Sequence, residues 1–304
     1  MSGFKSGFVA IVGRPNAGKS TLVNALVGRK VAIVTPRPQT TRNRIQGIVN
    51  RADAQIVLVD TPGIHKASSA LGKQMMAEVR QALEGIDVLA LLVDASEEFG
   101  AGDAYALELA KRFHGPAFLL LNKIDRVKKA LLLPRIEQYR RAREFAEIIP
   151  ISARTGEGLP AVLEKLALHL PEGPAYFPPD QYTDQPERFL AGEIVREKAI
   201  LATENEVPYG IAVLVDSFEE RPRLIRLRVL IYVEREGQKG ILIGKGGAML
   251  KKIGSAARKE LEELLGVKIF LELHVKVQRG WREKPAMVRQ FDWRRQIAQM
   301  GREE

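Results

Sequence analysis

The chain of 304 residues has no cysteine. Disulfides and thiolate metal sites are therefore excluded. Its four histidines are scattered and cannot build a metal site alone. No apolar run approaches the roughly 18 residues that a membrane-spanning helix needs. The opening Met1–Gly7 leads straight into a strand and lacks the pattern of a secretory signal. These absences set the expectation of a cytoplasmic protein. With 45% apolar and 28% charged residues, the chain reads as an ordinary globular protein, long enough for two domains with sizeable cores. What it has in excess is positive charge, +10 net. That balance points to an anionic partner, nucleic acid or an acidic membrane face. A merely basic solvated surface is the other reading that composition leaves open.

The sharpest local signal is Gly13-Arg14-Pro15-Asn16-Ala17-Gly18-Lys19-Ser20, which has the spacing G-x-x-x-x-G-K-[ST]. It follows the apolar run Phe8–Val12 and precedes the helix-like Thr21–Val27, the strand–loop–helix setting that a phosphate-binding loop requires. The physics is that of an anion cradle. Backbone N–H groups from Asn16 and Ala17 to Thr21 converge on phosphate oxygens at the positive end of a helix dipole. Gly13 and Gly18 allow a tight turn and close approach. Lys19 is expected on the β- and γ-phosphates and the Ser20 hydroxyl on Mg2+.

Up to about residue 170, short apolar runs alternate with helical spacing. The runs are Val57–Val59, Val88–Val93, Ala117–Leu121 and Ile148–Ile149; the helical stretches are Leu71–Leu83, Ala101–Phe113, Leu133–Phe145 and Leu159–Leu170. This rhythm predicts an α/β domain with a mostly parallel, doubly wound sheet. Ile45–Val49 and Ile56–Val59, joined by Arg51-Ala52-Asp53, read as a hairpin adding one antiparallel edge.

Ligands of such sheets bind at the carboxyl ends of the strands, and the other motifs fall there. Asp60-Thr61-Pro62-Gly63 offers a carboxylate for Mg2+ through water and a Gly63 N–H for the γ-phosphate. Asn122-Lys123-Ile124-Asp125 offers base chemistry. The Asp125 carboxylate can accept from guanine N1–H and the N2 amine, which adenine lacks, and an unpaired buried group costs a factor of order 10⁴ or more in discrimination. Asn122 is expected on the base edge, the Lys123 stem over the ring, and a backbone N–H at Ser152-Ala153 on guanine O6.

In all of these motifs the first half resembles the translation-factor-like GTPases. The resemblance implies that the polar, proline-marked loop Arg29–Arg44 is switch I. One of its threonines would then sit on Mg2+ and the γ-phosphate. Thr41 is favoured, because Thr41-Arg42-Asn43-Arg44 looks like the Thr-Arg-Asp-Arg of related bacterial GTPases; Thr40 stays open. Where many GTPases carry a water-orienting glutamine after Gly63, this chain has Ile64. No side-chain general base is evident, although His65 is adjacent, so slow intrinsic hydrolysis is expected. Related GTPases with asparagine at the place of Asn16 hold K+ there, which would supply transition-state charge; simple loop geometry is the competing account of Asn16.

Helical periodicity stops at Leu170, and 172–187 is rich in proline and polar residues, which reads as a semi-rigid linker. The chain is thus expected to divide into 1–171, a linker 172–187, and 188–304. The second half carries a helix over Glu187–Asn205, alternating runs at Ile211–Val215 and Ile225–Val233, an amphipathic helix from Met249 closed by Gly266, and an alternating run Ile269–Val277. The order is α-β-β-α-α-β. Ile243-Gly244-Lys245-Gly246-Gly247 looks like the GXXG loop of a KH domain, whose glycines let a single-stranded phosphate backbone come close. Lys245, Lys251 and Lys252 lie in a basic stretch that runs on to Arg295, the expected footprint of RNA.

A GTPase domain followed by an α+β type II KH domain resembles the Era family of bacterial GTPases over essentially the whole chain, including Pro15-Asn16, Gln39–Arg42, Asp60–Gly63 and Ile243–Gly247. The resemblance implies GTP and GDP as ligands, Mg2+ and a K+ ion as cofactors, and action in small-ribosomal-subunit maturation. It further implies binding to the 3′ end of small-subunit ribosomal RNA, peripheral association with the inner membrane face, and a monomer. A membrane-signalling GTPase and an RNA-binding protein with a vestigial nucleotide site are the alternatives.

Overall fold

The computed structural model describes residues 3–64 and 69–294; His65 and Arg295 lie outside the described residues. Two compact units divide between Asp184 and Gln185, with 69–74 grouped in the second.

The first unit contains β1 (Lys5–Val12), α1 (Lys19–Val27), β2 (Ile45–Asn50), β3 (Ala54–Asp60), α2 (Ala70–Ala82), β4 (Val88–Asp94), α3 (Ala101–Lys111), β5 (Ala117–Asn122), α4 (Leu132–Arg140), β6 (Glu147–Pro150) and α5 (Leu159–His169). Its sheet has the order β2-β3-β1-β4-β5-β6. The pairs β1/β3, β1/β4, β4/β5 and β5/β6 are parallel and β2/β3 is antiparallel, the hairpin edge that the sequence predicts. Every residue of β3, β4 and β5 is buried, because helices cover both faces of a parallel sheet and each strand must then be apolar throughout. Val9, Ile11, Leu22, Leu58, Leu92, Phe118 and Val162 belong to one core cluster. That core fixes the strand ends from which the functional loops leave.

Two expectations needed correction. Helix α4 stops at Arg140 rather than reaching Phe145. Arg141 and Ala142 form a turn, and buried Phe145 precedes β6 as irregular chain. The linker stretch is also more ordered than its composition suggests. Ser6 N–H donates to Pro171 O, the backbone N–H groups of Tyr176 and Phe177 donate to Gln55 Oε1, and Ile48 N–H donates to Tyr182 O. Tyr176 packs on Phe8 with ring centres 4.8 Å apart. Proline excludes a regular ladder here, but the edge strand β2 has outward backbone groups that need partners, and 181–184 supplies them.

The second unit contains α6 (Glu187–Leu201), α7 (Val207–Gly210), β7 (Ala212–Arg221), β8 (Leu224–Val233), α8 (Glu236–Ile243), α9 (Ala248–Leu265), β9 (Lys268–Val277) and α10 (Pro285–Gln290). Its sheet has the order β7-β8-β9, antiparallel at β7/β8 and parallel at β8/β9. One face of β8, from Ile225 to Val233 in alternation, packs with Leu190 and Ile194 of α6 and with Ile253, Ala257 and Leu261 of α9. Gly266 ends α9 at φ +69°, as the sequence predicts. The segment beyond β9 was not foreseen. Trp281 is fully buried, its indole N–H donates to Gly210 O at 2.8 Å, and it packs against Phe291. Truncating it to alanine would cost about 3–5 kcal/mol.

Candidate nucleotide site and RNA groove

The strand β1 delivers its carboxyl end to 13–18, and α1 begins at Lys19. The turn closes through Gly18 at φ +100°, where an added Cβ would lie 2.4 Å from Asn122 Nδ2; no other residue fits without moving that side chain. Lys19 is 6% exposed, and its Nζ donates to Gly13 O and Arg14 O. Burial pulls its pKa down to about 8, against the raising effect of Asp60. The ammonium therefore lies folded on the carbonyls of its own loop, beside the cradle of N–H groups.

Asp60, at the end of β3, is fully buried. Ser20 Oγ donates to Asp60 Oδ2 at 2.7 Å, Thr41 Oγ1 lies 3.3 Å from the same oxygen, and the two hydroxyls are 2.7 Å apart. Burial raises the Asp60 pKa to about 6, opposed by Ser20, Lys19, Thr41 and Thr61. Its other oxygen, Oδ1, is buried with no hydrogen-bond partner. Among the described residues no cluster of three His, Asp or Glu could hold a metal ion. One carboxylate and two hydroxyls form a partial set of hard oxygen donors with an orphaned buried oxygen, which suits Mg2+ when a nucleotide supplies further oxygens. Of the two threonines, Thr41 lies beside Ser20 and Asp60, whereas Thr40 Oγ1 bonds to Arg37 O and Thr35 within the loop. Asn16 Nδ2 donates to Pro36 O at 3.0 Å, which ties the phosphate loop to 29–44. Ile64 is fully buried and presents nothing that could orient water; Gly63 packs on Pro15.

The residues that the sequence assigns to the base gather at the ends of β5 and β6. Ser152 Oγ donates to Asp125 Oδ1 at 2.6 Å, and Arg154 Nη2 donates to Asp125 Oδ2 at 2.7 Å. These bonds hold the Asp125 pKa below the ordinary carboxylate value. Asn122, expected on the base edge, is bonded here to two other loops. Its Nδ2 donates to Ala17 O, and its Oδ1 accepts from the Ala153 N–H. At 2% exposure it braces the phosphate loop against the 152–153 turn. Of the two backbone N–H groups at Ser152-Ala153, one of which is expected on guanine O6, that of Ala153 is engaged in this brace. Lys123 stands at φ +66°, and its Nζ donates to Asn16 O at 2.8 Å and Asp94 Oδ2 at 2.6 Å. Sequence reasoning missed Asp94 and Arg154, because neither belongs to a contiguous motif.

In the second unit, Gly244, Gly246 and Gly247 all have positive φ, at +72°, +58° and +80°. They make a turn between α8 and α9 with Lys245 exposed. Beside it lies an open groove of about 500 Å³, lined among others by Gly247, Leu250, Lys251, Arg258, Phe270 and Leu273. Lys251 and Lys252 are exposed. Part of the expected basic face is paired: Lys259 with Glu263, Lys268 with Glu262 and Arg282 with Glu234.

Fold and sites define a P-loop GTPase unit followed by a KH unit. Residues 8–123 match the family described as 50S ribosome-binding GTPase, and residues 206–282 match the KH domain family. The GTPase Era of Syntrophus aciditrophicus (strain SB) is 51% identical over 292 residues, 95% of each chain. A solved structure of Era in complex with MgGDPNP and nucleotides 1506–1542 of 16S ribosomal RNA is 42% identical, with a TM-score of 0.91, covering 95% of this chain and 99% of that one. An Era variant from Aquifex aeolicus bound to GDP and AlF4− matches with the same identity, TM-score and coverage. The chain belongs to the Era family of GTPases.

Proposed function

We propose that this GTPase binds GTP with Mg2+ through its first unit and the 3′ region of small-subunit ribosomal RNA through its second, and serves small-subunit assembly. By function the chain is assigned as 1–171 for the GTPase domain, 172–187 for the linker, whose 172–184 packs with the first unit, and 188–304 for the KH domain. Ser20, Thr41 and, through water, Asp60 would hold Mg2+, which when bound neutralises phosphate charge. The backbone at Asn16–Thr21 and Gly63 would cradle the phosphates, Lys19 would pair with them, and Asp125 would read guanine. The observation that carries the nucleotide half is the convergence of Lys19, Ser20 and Thr41 on one cleft, with the buried Asp60 carboxylate bonded to both hydroxyls. The GXXG turn and its groove support the RNA half, and the 16S RNA held by the 42% identical relative supports the choice of RNA. The name of the family matched by 8–123 speaks of the large subunit; the KH unit and that relative favour the small one.

K+ at Asn16 belongs to this proposal. The Asn16 amide reaches a switch-loop carbonyl, and both groups carry hard oxygens. Turnover faster in K+ than in Na+ at equal ionic strength, with Asn16→Ala erasing the difference, is the expected result. Indifference of the wild type to the cation would remove K+ from the account. Binding of a fluorescent RNA from the 16S 3′ end, titrated against unrelated RNA of equal length, tests the partner: equal affinity for both would overturn it.

No helix among the described residues is long and apolar enough to cross a membrane. Cytoplasmic location, a monomeric state and peripheral membrane association rest on the family resemblance. Ultracentrifugation and sedimentation with anionic vesicles test the last two.

A further inference from the structure

The end of β4 holds a buried charge that none of the roles above uses. Asp94 pairs in register with Asn122, one residue before Lys123, and is 4% exposed. Its Oδ1 accepts from the Ser96 N–H at 2.9 Å and from Ser96 Oγ at 2.6 Å; its Oδ2 accepts from Lys123 Nζ at 2.6 Å. Burial disfavours the ionised form, but the bonds from Lys123 and Ser96 outweigh it, and its pKa lies below the ordinary carboxylate value.

The lysine is held at both ends. Its backbone is fixed in the left-handed region at φ +66°, a conformation with a cost for a long side chain. Its Nζ is tied to Asp94 and to Asn16 O. A flexible four-carbon stem is thereby stretched between two fixed points, and the ordering cost is met before a ligand arrives.

We propose that Asp94 is a positioning residue for nucleotide binding: it anchors Lys123 Nζ so that the stem forms a preset wall for the purine ring. This rests on the reading that the base lies at Lys123 and Asp125. A stem packed on the ring face does not read the exocyclic amine. Losing the anchor therefore weakens guanine and hypoxanthine nucleotides alike, whereas Asp125 discriminates between them.

The test is titration of the full-length protein with GDP, GTP, IDP and ITP. Asp94→Ala is expected to weaken all four by a common factor of about tenfold, the scale of one charge-assisted hydrogen bond, with kcat at saturation within about twofold. Asp94→Asn keeps an acceptor oxygen for Lys123 and is expected to lose less, about threefold. In the Lys123→Ala background, Asp94→Ala should add nothing, because the two act as one unit. Unchanged affinities in Asp94→Ala, or losses that multiply in the double variant, overturn the proposal. If Asp94→Ala does not fold, the same cycle run with Asp94→Asn decides. Asp125→Asn serves as the control for the base site itself. If it gains no affinity for xanthosine triphosphate, the base-site reading falls, whatever Asp94 does; if it gains and the Asp94 variants are silent, only the present proposal falls.

Discussion

Two of the glycine turns that open helices, at Gly18 and at Gly246-Gly247, meet phosphate-binding needs in different ways. Around Gly18 the turn is enclosed: a Cβ would strike Asn122, Lys19 is buried with its pKa lowered, and Asp60 beside it is fully buried. Around Gly246 and Gly247 the turn is open: a Cβ at either would meet nothing within 4 Å, and Lys245, Lys251 and Lys252 are exposed. Enclosure suits one small ligand whose every charge can be matched, because buried pairs are little screened and an unmatched partner is costly. Openness suits a polymer backbone read as repeated charge, where screening by salt sets the affinity.

Removing the central charge of each turn should separate the two most clearly. Lys19→Ala should weaken GTP and GDP by about a hundredfold or more, since truncating one side of a desolvated charge pair costs about 2–5 kcal/mol; RNA binding by the nucleotide-free protein should not change. A fluorescent-nucleotide titration checks the first part, and an RNA titration the second. Asp125→Asn follows in size. Its amide accepts from N1–H as before but donates to the xanthine 2-oxygen, so GTP should weaken by about two orders of magnitude while xanthosine triphosphate gains. Competition between the two nucleotides measures it, and an unchanged preference for GTP would place the base elsewhere.

The open turn is best perturbed at Gly246. Gly244 is a poor choice, because a Cβ there would lie 2.9 Å from Met249 N and any RNA effect would be mixed with misfolding. Gly246 sits at φ +58°, ψ +23° with free space around it, a conformation that aspartate tolerates better than most residues. Gly246→Asp places negative charge beside the phosphate and should cost about tenfold in RNA affinity while leaving GTP binding intact. For the single-strand contacts, Lys245→Ala and Lys251→Ala should each flatten the salt dependence by about 0.7 in the log–log slope. A slope near zero in the wild type would show that RNA does not use this face.

The parts of this chain that were legible in advance are those whose chemistry is contiguous. A phosphate cradle needs consecutive N–H groups, so Gly13–Ser20 announces itself, and the alternation in β8 and β9 follows from one buried face. What escaped notice is chemistry assembled across strands. Asp94 lies 29 positions from its partner Lys123, and their meeting depends on the β4/β5 register. Asn122 became a brace because its neighbours on two other loops claim its amide. Trp281 and α10 have no period to betray them, and 172–184 has the composition of free chain although Gln55 and the edge of β2 hold it in place.

That held segment gives the smallest and most informative prediction. The loop 29–44, proposed as switch I, runs directly into β2. Ile45 pairs with Asp60 in register, so whatever moves Thr41 and Asp60 also moves the strand edge. On the outer side of β2, Thr183 Oγ1 donates to Gln46 O at 2.8 Å, Gln46 N–H donates to Asp184 Oδ1 at 3.1 Å, and Arg29 lies over the Tyr182 ring. In GTPase switches, nucleotide state orders such loops and so alters partner affinity, and here the segment held on β2 is the chain that continues into the second unit. The double variant Thr183→Val, Asp184→Ala removes both side-chain bonds and leaves both binding sites untouched. GTP affinity, and RNA affinity without nucleotide, should stay within about twofold, while the ratio of RNA affinities in the GDPNP and GDP states should fall towards one from a wild-type value of about fivefold, the low end of ordinary allosteric coupling. Linkage supplies an internal check, since RNA must tighten GDPNP relative to GDP by the same ratio in each variant. A ratio that survives the double variant would mean that the signal passes elsewhere. A wild-type ratio of one would mean that the two turns, enclosed and open, bind their phosphates independently.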